Sequence, residues 1–222
     1  MSQLEIVPRS GAGAVLADGV GYPALAGKNG ELVTSDLHGK YYELAVRGKV
    51  FTGSSVAAGF AIPKYDSVTP MFCLWNPSGS GCNFELIKLN LAVSVLGTSV
   101  VDSYYLAYTA NAGNSISTTA AVVAFAATPT YVHSALIGSG AASVSKFSSV
   151  GTNTLLAAPV VWYHLPFSRD LATTGGGAPV MQENFDGTVI VPPSTLITIM
   201  ATPAATSTTY TCSLTWAEVP II

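Results

Sequence analysis

Asn83-Phe-Glu-Leu-Ile-Lys-Leu-Asn-Leu-Ala-Val-Ser-Val-Leu96 alternates along its whole length. Glu85, Ile87, Leu89, Leu91, Val93 and Val95 fall on one face, and Phe84, Leu86, Lys88, Asn90, Ala92 and Ser94 on the other. A period of two marks a long, half-buried β-strand. The end of the chain alternates more cleanly, with Tyr210, Cys212, Leu214 and Trp216 pointing one way and Thr211, Ser213 and Thr215 the other. That pattern suits a sheet with one packed and one polar face.

Outward from these two runs, strand-like stretches recur at Val56–Ile62, Met71–Trp75, Val100–Thr109, Ala121–Ala126, Tyr131–Ile137, Val144–Phe147, Leu155–Tyr163, Gly187–Val191 and Leu196–Ala201. Turn clusters separate them: Asn76-Pro-Ser-Gly-Ser-Gly81, Thr173-Thr-Gly-Gly-Gly177 and Pro192-Pro-Ser194. Many short strands with regular turn punctuation predict an all-β antiparallel β-sandwich, jelly-roll-like, over residues 35–222. One short helix is expected near 37–46, where Leu37, Tyr41, Leu44 and Ala45 share a helical face, Ser35 is a candidate N-cap and Gly48 a C-terminal stop. Residues 1–34 are broken by Gly every few positions and read as an extended N-terminal arm with one short strand at Leu4–Val7. No internal repeat of fixed period is visible, which argues against a propeller or solenoid.

Charge is scarce. The 222 residues hold 9 Lys and Arg against 12 Asp and Glu, for a net charge of −3. Only 9% of the chain is charged, against about 25% in ordinary domains. A monomer of this size exposes about 9,500 Å², so one charged side chain serves roughly 450 Å² of surface. Such a surface is expected to be covered by other protein, or solvated by Ser, Thr, Asn and Gly. The same scarcity leaves no basic footprint for nucleic acid. The longest clean apolar run, Ala120–Ala127, is far shorter than the roughly 18 residues of a membrane-spanning helix. The N-terminal residues Met1–Glu5 carry no export-signal pattern, so neither membrane nor nucleic acid is an expected partner.

Catalytic chemistry finds no motif. Cys73, Cys82 and Cys212 lack metal-finger spacing and read as buried thiols. His38, His133 and His164 stand singly. Glu183 and Asp186 are the closest late carboxylates, but Asp186-Gly187 reads as a turn entering a strand. Gly175-Gly-Gly177 lacks the strand, helix and Lys of a phosphate cradle. No catalytic, cofactor-binding or metal residue is therefore assigned, no cofactor is expected, and the chain is read as not an enzyme. Aromatic residues are the remaining candidates for contact: Tyr41-Tyr42, Tyr104-Tyr105, Trp162-Tyr163, Trp75 and Trp216. Neighbours on a strand face opposite ways, so one of each pair is available as a sugar platform or an interface anchor.

Several segments together resemble small virion proteins of tailed bacteriophages, of the kind that decorate or cement the head. They are Gly30-Glu-Leu32 leading into Leu37-His-Gly-Lys-Tyr-Tyr-Glu43, Arg47-Gly-Lys-Val-Phe51, Leu74-Trp-Asn-Pro77 with Gly79-Ser-Gly81, Phe185-Asp-Gly-Thr-Val-Ile-Val-Pro-Pro193 and Trp216-Ala-Glu-Val-Pro220. The resemblance implies a jelly-roll-like domain that forms a homotrimer, sits on the capsid surface of the virion and braces the major capsid protein. It brings no catalytic residues with it and leaves the binding interface unassigned. The alternatives are a carbohydrate-binding or receptor-attachment module of the virion, and another capsid or tail component.

Overall fold

The computed structural model describes residues 39–95, 103–110, 131–149, 153–155, 157–166, 180–202 and 208–221. The chain divides into two units, Met1–Tyr42 and Glu43–Ile222, and every described strand belongs to the second. The expected arm over 1–34 and the strand expected at Ala121–Ala126 lie outside the described residues.

The strands are β1 (Val50–Ser54), β2 (Cys73–Asn76), β3 (Cys82–Val95), β4 (Ser103–Ala110), β5 (Val132–Ser134), β6 (Lys146–Ser148), β7 (Val160–Leu165), β8 (Val180–Val191), β9 (Thr195–Thr202) and β10 (Thr209–Pro220). They form two antiparallel five-stranded sheets, ordered β5-β1-β10-β3-β8 and β6-β2-β9-β4-β7, packed face to face. Without β5 and β6 the order is β1-β10-β3-β8 over β2-β9-β4-β7, the eight-strand, two-Greek-key arrangement of a jelly roll. The expected all-β sandwich is thus the observed one.

The core lies between the sheets and is rich in rings. Trp216 from β10 sits within 6.4 Å of Phe51 and Phe147 and 6.3 Å of Phe84, measured between ring centroids. Phe72 stacks on Phe60 at 5.5 Å and meets the Phe147 ring edge-on at 5.1 Å. Tyr104 and Tyr210, fully buried, join β4 to β10 through a 2.8 Å hydroxyl–hydroxyl bond across the sandwich. The bond gives both buried phenols a polar partner inside the core.

Local departures from the expected pattern have physical causes. In β3, Phe84 and Leu86 are buried, then Leu89 and Leu91, because the register slips by one residue at Ile87. The strict alternation expected for β3 therefore fails there; the extra residue is a β-bulge that exchanges the faces. On the other side of β3, the four residues Phe185–Thr188 lie opposite Ile87 alone. Asp186 (φ 51°) and Gly187 (φ 82°) form a tight turn inside β8, closed by Thr188 Oγ1 donating to the Phe185 carbonyl at 2.6 Å. The turn expected at Asp186-Gly187 as the entry into a strand lies instead inside β8, which runs up to it from Val180 and on to Val191.

The helix is shorter than expected, Tyr42–Val46. Gly39 instead opens a turn, accepting from the Tyr42 N–H at 2.9 Å. Gly48 (φ 66°) does end the helix: its N–H reaches the Ala45 carbonyl and the Lys49 N–H reaches Leu44, the paired bonds of a Schellman cap. Val56–Ile62 is not a strand but a turn with a single bridge, Phe60 to Tyr210. Gly59 (φ 72°) there runs so close to β10 that an added Cβ would lie 2.8 Å from the Tyr210 carbonyl oxygen.

Candidate interaction surface

The sandwich has two lateral sides. On one, the short edge strands β5 and β6 close it; on the other, β7 and β8 are the outer strands of their sheets. In β7, Tyr163 pairs with Leu106 and Val161 with Ala107, which leaves Trp162 as the extra residue of a bulge. Bulges at edges re-aim side chains. Trp162 is 55% exposed, and so is Ile190 of β8. Both border a cleft of about 200 Å³ that reaches Tyr108, Val191, Pro192 and Ile197. Among the described residues no charged side chain lines it.

The two edges are tied beside this cleft. The Tyr163 hydroxyl donates to Glu183 Oε1 at 2.8 Å, and its ring meets Phe185 edge-on at 5.7 Å. Donation to the carboxylate holds the Tyr163 hydroxyl above the ordinary tyrosine pKa, with burial adding to it. His164 lies against the edge of Tyr105 at 4.7 Å.

A second surface is the outer face of β1, β10 and β3. Thr52 and Thr215 share a 3.0 Å hydroxyl bond, Asn90 Nδ2 donates to Ser213 Oγ at 3.2 Å, and Ser94 meets Thr209 at 2.8 Å. Cross-strand hydroxyl and amide pairs make this face polar, with Lys88 opposite Thr215 and Glu85 adding one charge of each sign. A hollow of about 300 Å³ opens among Ser54, Ser55, Asn90, Thr211 and Ser213.

The residues weighed for chemistry do not converge. Glu183 is engaged by Tyr163, while Asp186 sits in the exposed turn. His133 is on β5 and His164 on β7, at opposite sides of the fold; His38 lies outside the described residues, as does Gly175-Gly-Gly177. Among the described residues no three His, Cys, Asp or Glu side chains gather into a metal-holding group. Cys73, Cys82 and Cys212 are buried free thiols, each with its pKa raised by burial. Such thiols are poor nucleophiles. Among the described residues no helix is long and apolar enough to cross a membrane.

One buried carboxylate has a structural task. Glu218, 4% exposed, accepts from Ser143 Oγ at 2.5 Å and from the Val144 N–H at 3.1 Å. It thereby holds the segment leading into β6. Burial pushes its pKa above the ordinary glutamate range, against the opposing pull of these donors.

Of the aromatic candidates, Trp75, Trp216 and Tyr104 are buried, and Trp162 alone among the tryptophans reaches solvent broadly. Alternation could not single it out, because the bulge that turns it outward is written in the pairing with β4. No protein-family model, curated protein or solved structure matches the chain.

Proposed function

We propose that the chain is a virion structural protein of the capsid decoration or cement type, which assembles as a homotrimer and grips the assembled head shell through the major capsid protein. The observation that carries this reading is the surface. A jelly roll with only 9 basic and 12 acidic residues presents one hydroxyl-rich sheet face and one open apolar edge. Neutral surfaces of this kind suit burial against other protein better than free solution. Fold-level analogy agrees, since jelly rolls recur in capsid domains. The sequence resemblance points the same way.

The mechanism is mechanical. A protein that binds only the assembled lattice stabilises it by mass action, and several copies on one oligomer raise the effective affinity. Co-sedimentation of the purified chain with head shells of the encoding virus tests the reading. Saturable binding to shells, and none to unassembled capsid protein, is expected; shells that pellet without the chain would sink the proposal.

A second reading is a carbohydrate-binding module of the virion. The hollow lined by Ser54, Asn90, Thr211 and Ser213 favours it, because hydroxyls and amides recognise sugar hydroxyls. Glycan binding that is lost in Asn90→Ala would select this alternative.

A further inference from the structure

Ile137 is 97% exposed and its neighbour Leu136 41%, in a turn directly after edge strand β5. The turn is well tied: Ala135 N–H donates to the Val50 carbonyl at 2.8 Å, Leu136 N–H to Ser134 Oγ at 3.2 Å, and Ser139 N–H to the Leu136 carbonyl at 3.0 Å. Among the described residues nothing covers this isoleucine, which stands almost wholly in water at the tip of an ordered turn. At the opposite side of the sandwich lies the cleft between Trp162 and Ile190, about 200 Å³ and lined, among the described residues, by no charged side chain.

We infer that these two features are partners: Leu136 and Ile137 of one copy seat in the Trp162–Ile190 cleft of the next. Three observations favour a second copy as the occupant. Knob and cleft are both uncharged, so copies of equal net charge meet there without repulsion. The exposed parts of Trp162 and Ile190 in the cleft and of the flanking Val160 come to the order of 350 Å² of apolar surface, a large part of the roughly 450 Å² of non-polar area that one side of a standard interface supplies. Finally, bulges at Trp162 in β7 and at Phe185–Thr188 in β8 interrupt both edges. They disfavour continuous strand addition and leave side-chain packing as the mode of contact.

Because knob and cleft occupy different sides, the contact is head-to-tail and generates a ring when its rotation closes. The inference rests on the self-assembling half of the function proposed above, not on the shell-binding half.

Light scattering over a hundredfold dilution tests it, with Ile137→Asp and Trp162→Glu beside the unaltered chain. The unaltered chain is expected as a stable multiple of 22.8 kDa. Each variant should associate roughly 30-fold more weakly or worse, as for loss of a central anchor. An equimolar mixture of the two variants should form a heterodimer, since one keeps an intact cleft and the other an intact knob. Far- and near-UV circular dichroism checks folding; should Trp162→Glu misfold, Ile190→Asn replaces it. A monomeric unaltered chain overturns both the inference and the self-assembly it rests on. Multimers that survive both substitutions, or a mixture that stays monomeric, overturn the knob-and-cleft pairing and leave self-assembly and shell binding standing.

Discussion

The two lateral sides of this sandwich are built from the same sheets and end differently. On the β5/β6 side the edge strands have three residues each, Lys146 is exposed, and the space between sheets is filled by Phe51, Trp216, Phe147 and Phe72. Short and charged edges are the usual protection against unwanted pairing. On the β7/β8 side β7 reads Val160-Val-Trp-Tyr-His-Leu165 without a charge among Asp, Glu, Lys and Arg, and the rings thin to Tyr163 on Phe185. The difference teaches where stability and where contact reside: one side is spent on holding the sheets together, and the other leaves apolar surface facing out.

The largest effect should come from the closed side. Trp216→Ala removes a fully buried indole that touches three phenylalanines, and about 3–5 kcal/mol of unfolding free energy should be lost. Urea denaturation measures it. A loss below about 1 kcal/mol would mean the ring cluster is not what joins the sheets there. Next is Gly53→Ala. A Cβ at Gly53 would lie 2.6 Å from the Phe147 ring, which no ordinary contact allows, so β1 or Phe147 must shift at a cost of about 1–3 kcal/mol. An unchanged urea midpoint would show that this side is looser than its packing implies.

Glu218 probes the same side by pH. Its folded pKa is raised by burial, so between the ordinary glutamate value and the raised one the folded chain holds more protons than the unfolded chain. Its contribution to stability therefore falls as pH rises through that window and is flat above it. Glu218→Gln keeps an oxygen to accept from Ser143 and Val144 and does not titrate. The variant's unfolding free energy should lose this fall above the ordinary glutamate range and stay within about 1 kcal/mol of the parent at pH 7. A variant that keeps the fall would assign it to other groups.

How much of this was legible follows from where each signal is stored. Tyr210, Cys212, Leu214 and Trp216 alternate in sequence and are all buried, because the extra residues at both slips of the β10–β3 pairing, Ser94 and Ile87, lie in β3 and leave β10 unbroken. β3 carries apolar residues on both sides of Ile87, so the bulge there has no local signature and is set by pairing. Asp186-Gly187 announced the entry into a strand, but not that β8 already runs up to it from Val180. The segments that prompted the virion resemblance turn out to include structural devices. Asn76 donates to the Cys82 and Val191 carbonyls at 2.8 and 2.9 Å, Gly48 caps the helix, and Glu218 holds Ser143 and Val144. Such residues specify the fold strongly and the partner weakly. The exposed Trp162 and Ile137, which bear on partners, sit at a bulge and a turn tip, where alternation is silent.

The smallest effect belongs to the open side and bears most directly on the comparison. Tyr163→Phe removes the one described side-chain hydrogen bond between β7 and β8, to Glu183, while leaving the ring on Phe185. The bond is only part-buried, so solvent screening trims a charge-assisted interaction to about 0.5 kcal/mol. The urea midpoint should barely move. Hydrogen exchange should register more, because opening of an edge is local and does not require global unfolding. Amides of Val160–Leu165 and Val180–Val191 should exchange faster in the variant, with those of β5 and β6 unchanged. Equal acceleration on both sides would mean that the sandwich opens as one unit, and the division between a holding side and a contacting side would fail. Acceleration confined to β7 and β8 would place the cleft on an edge that moves independently of the ring cluster, as a surface that must admit a neighbour's side chain requires.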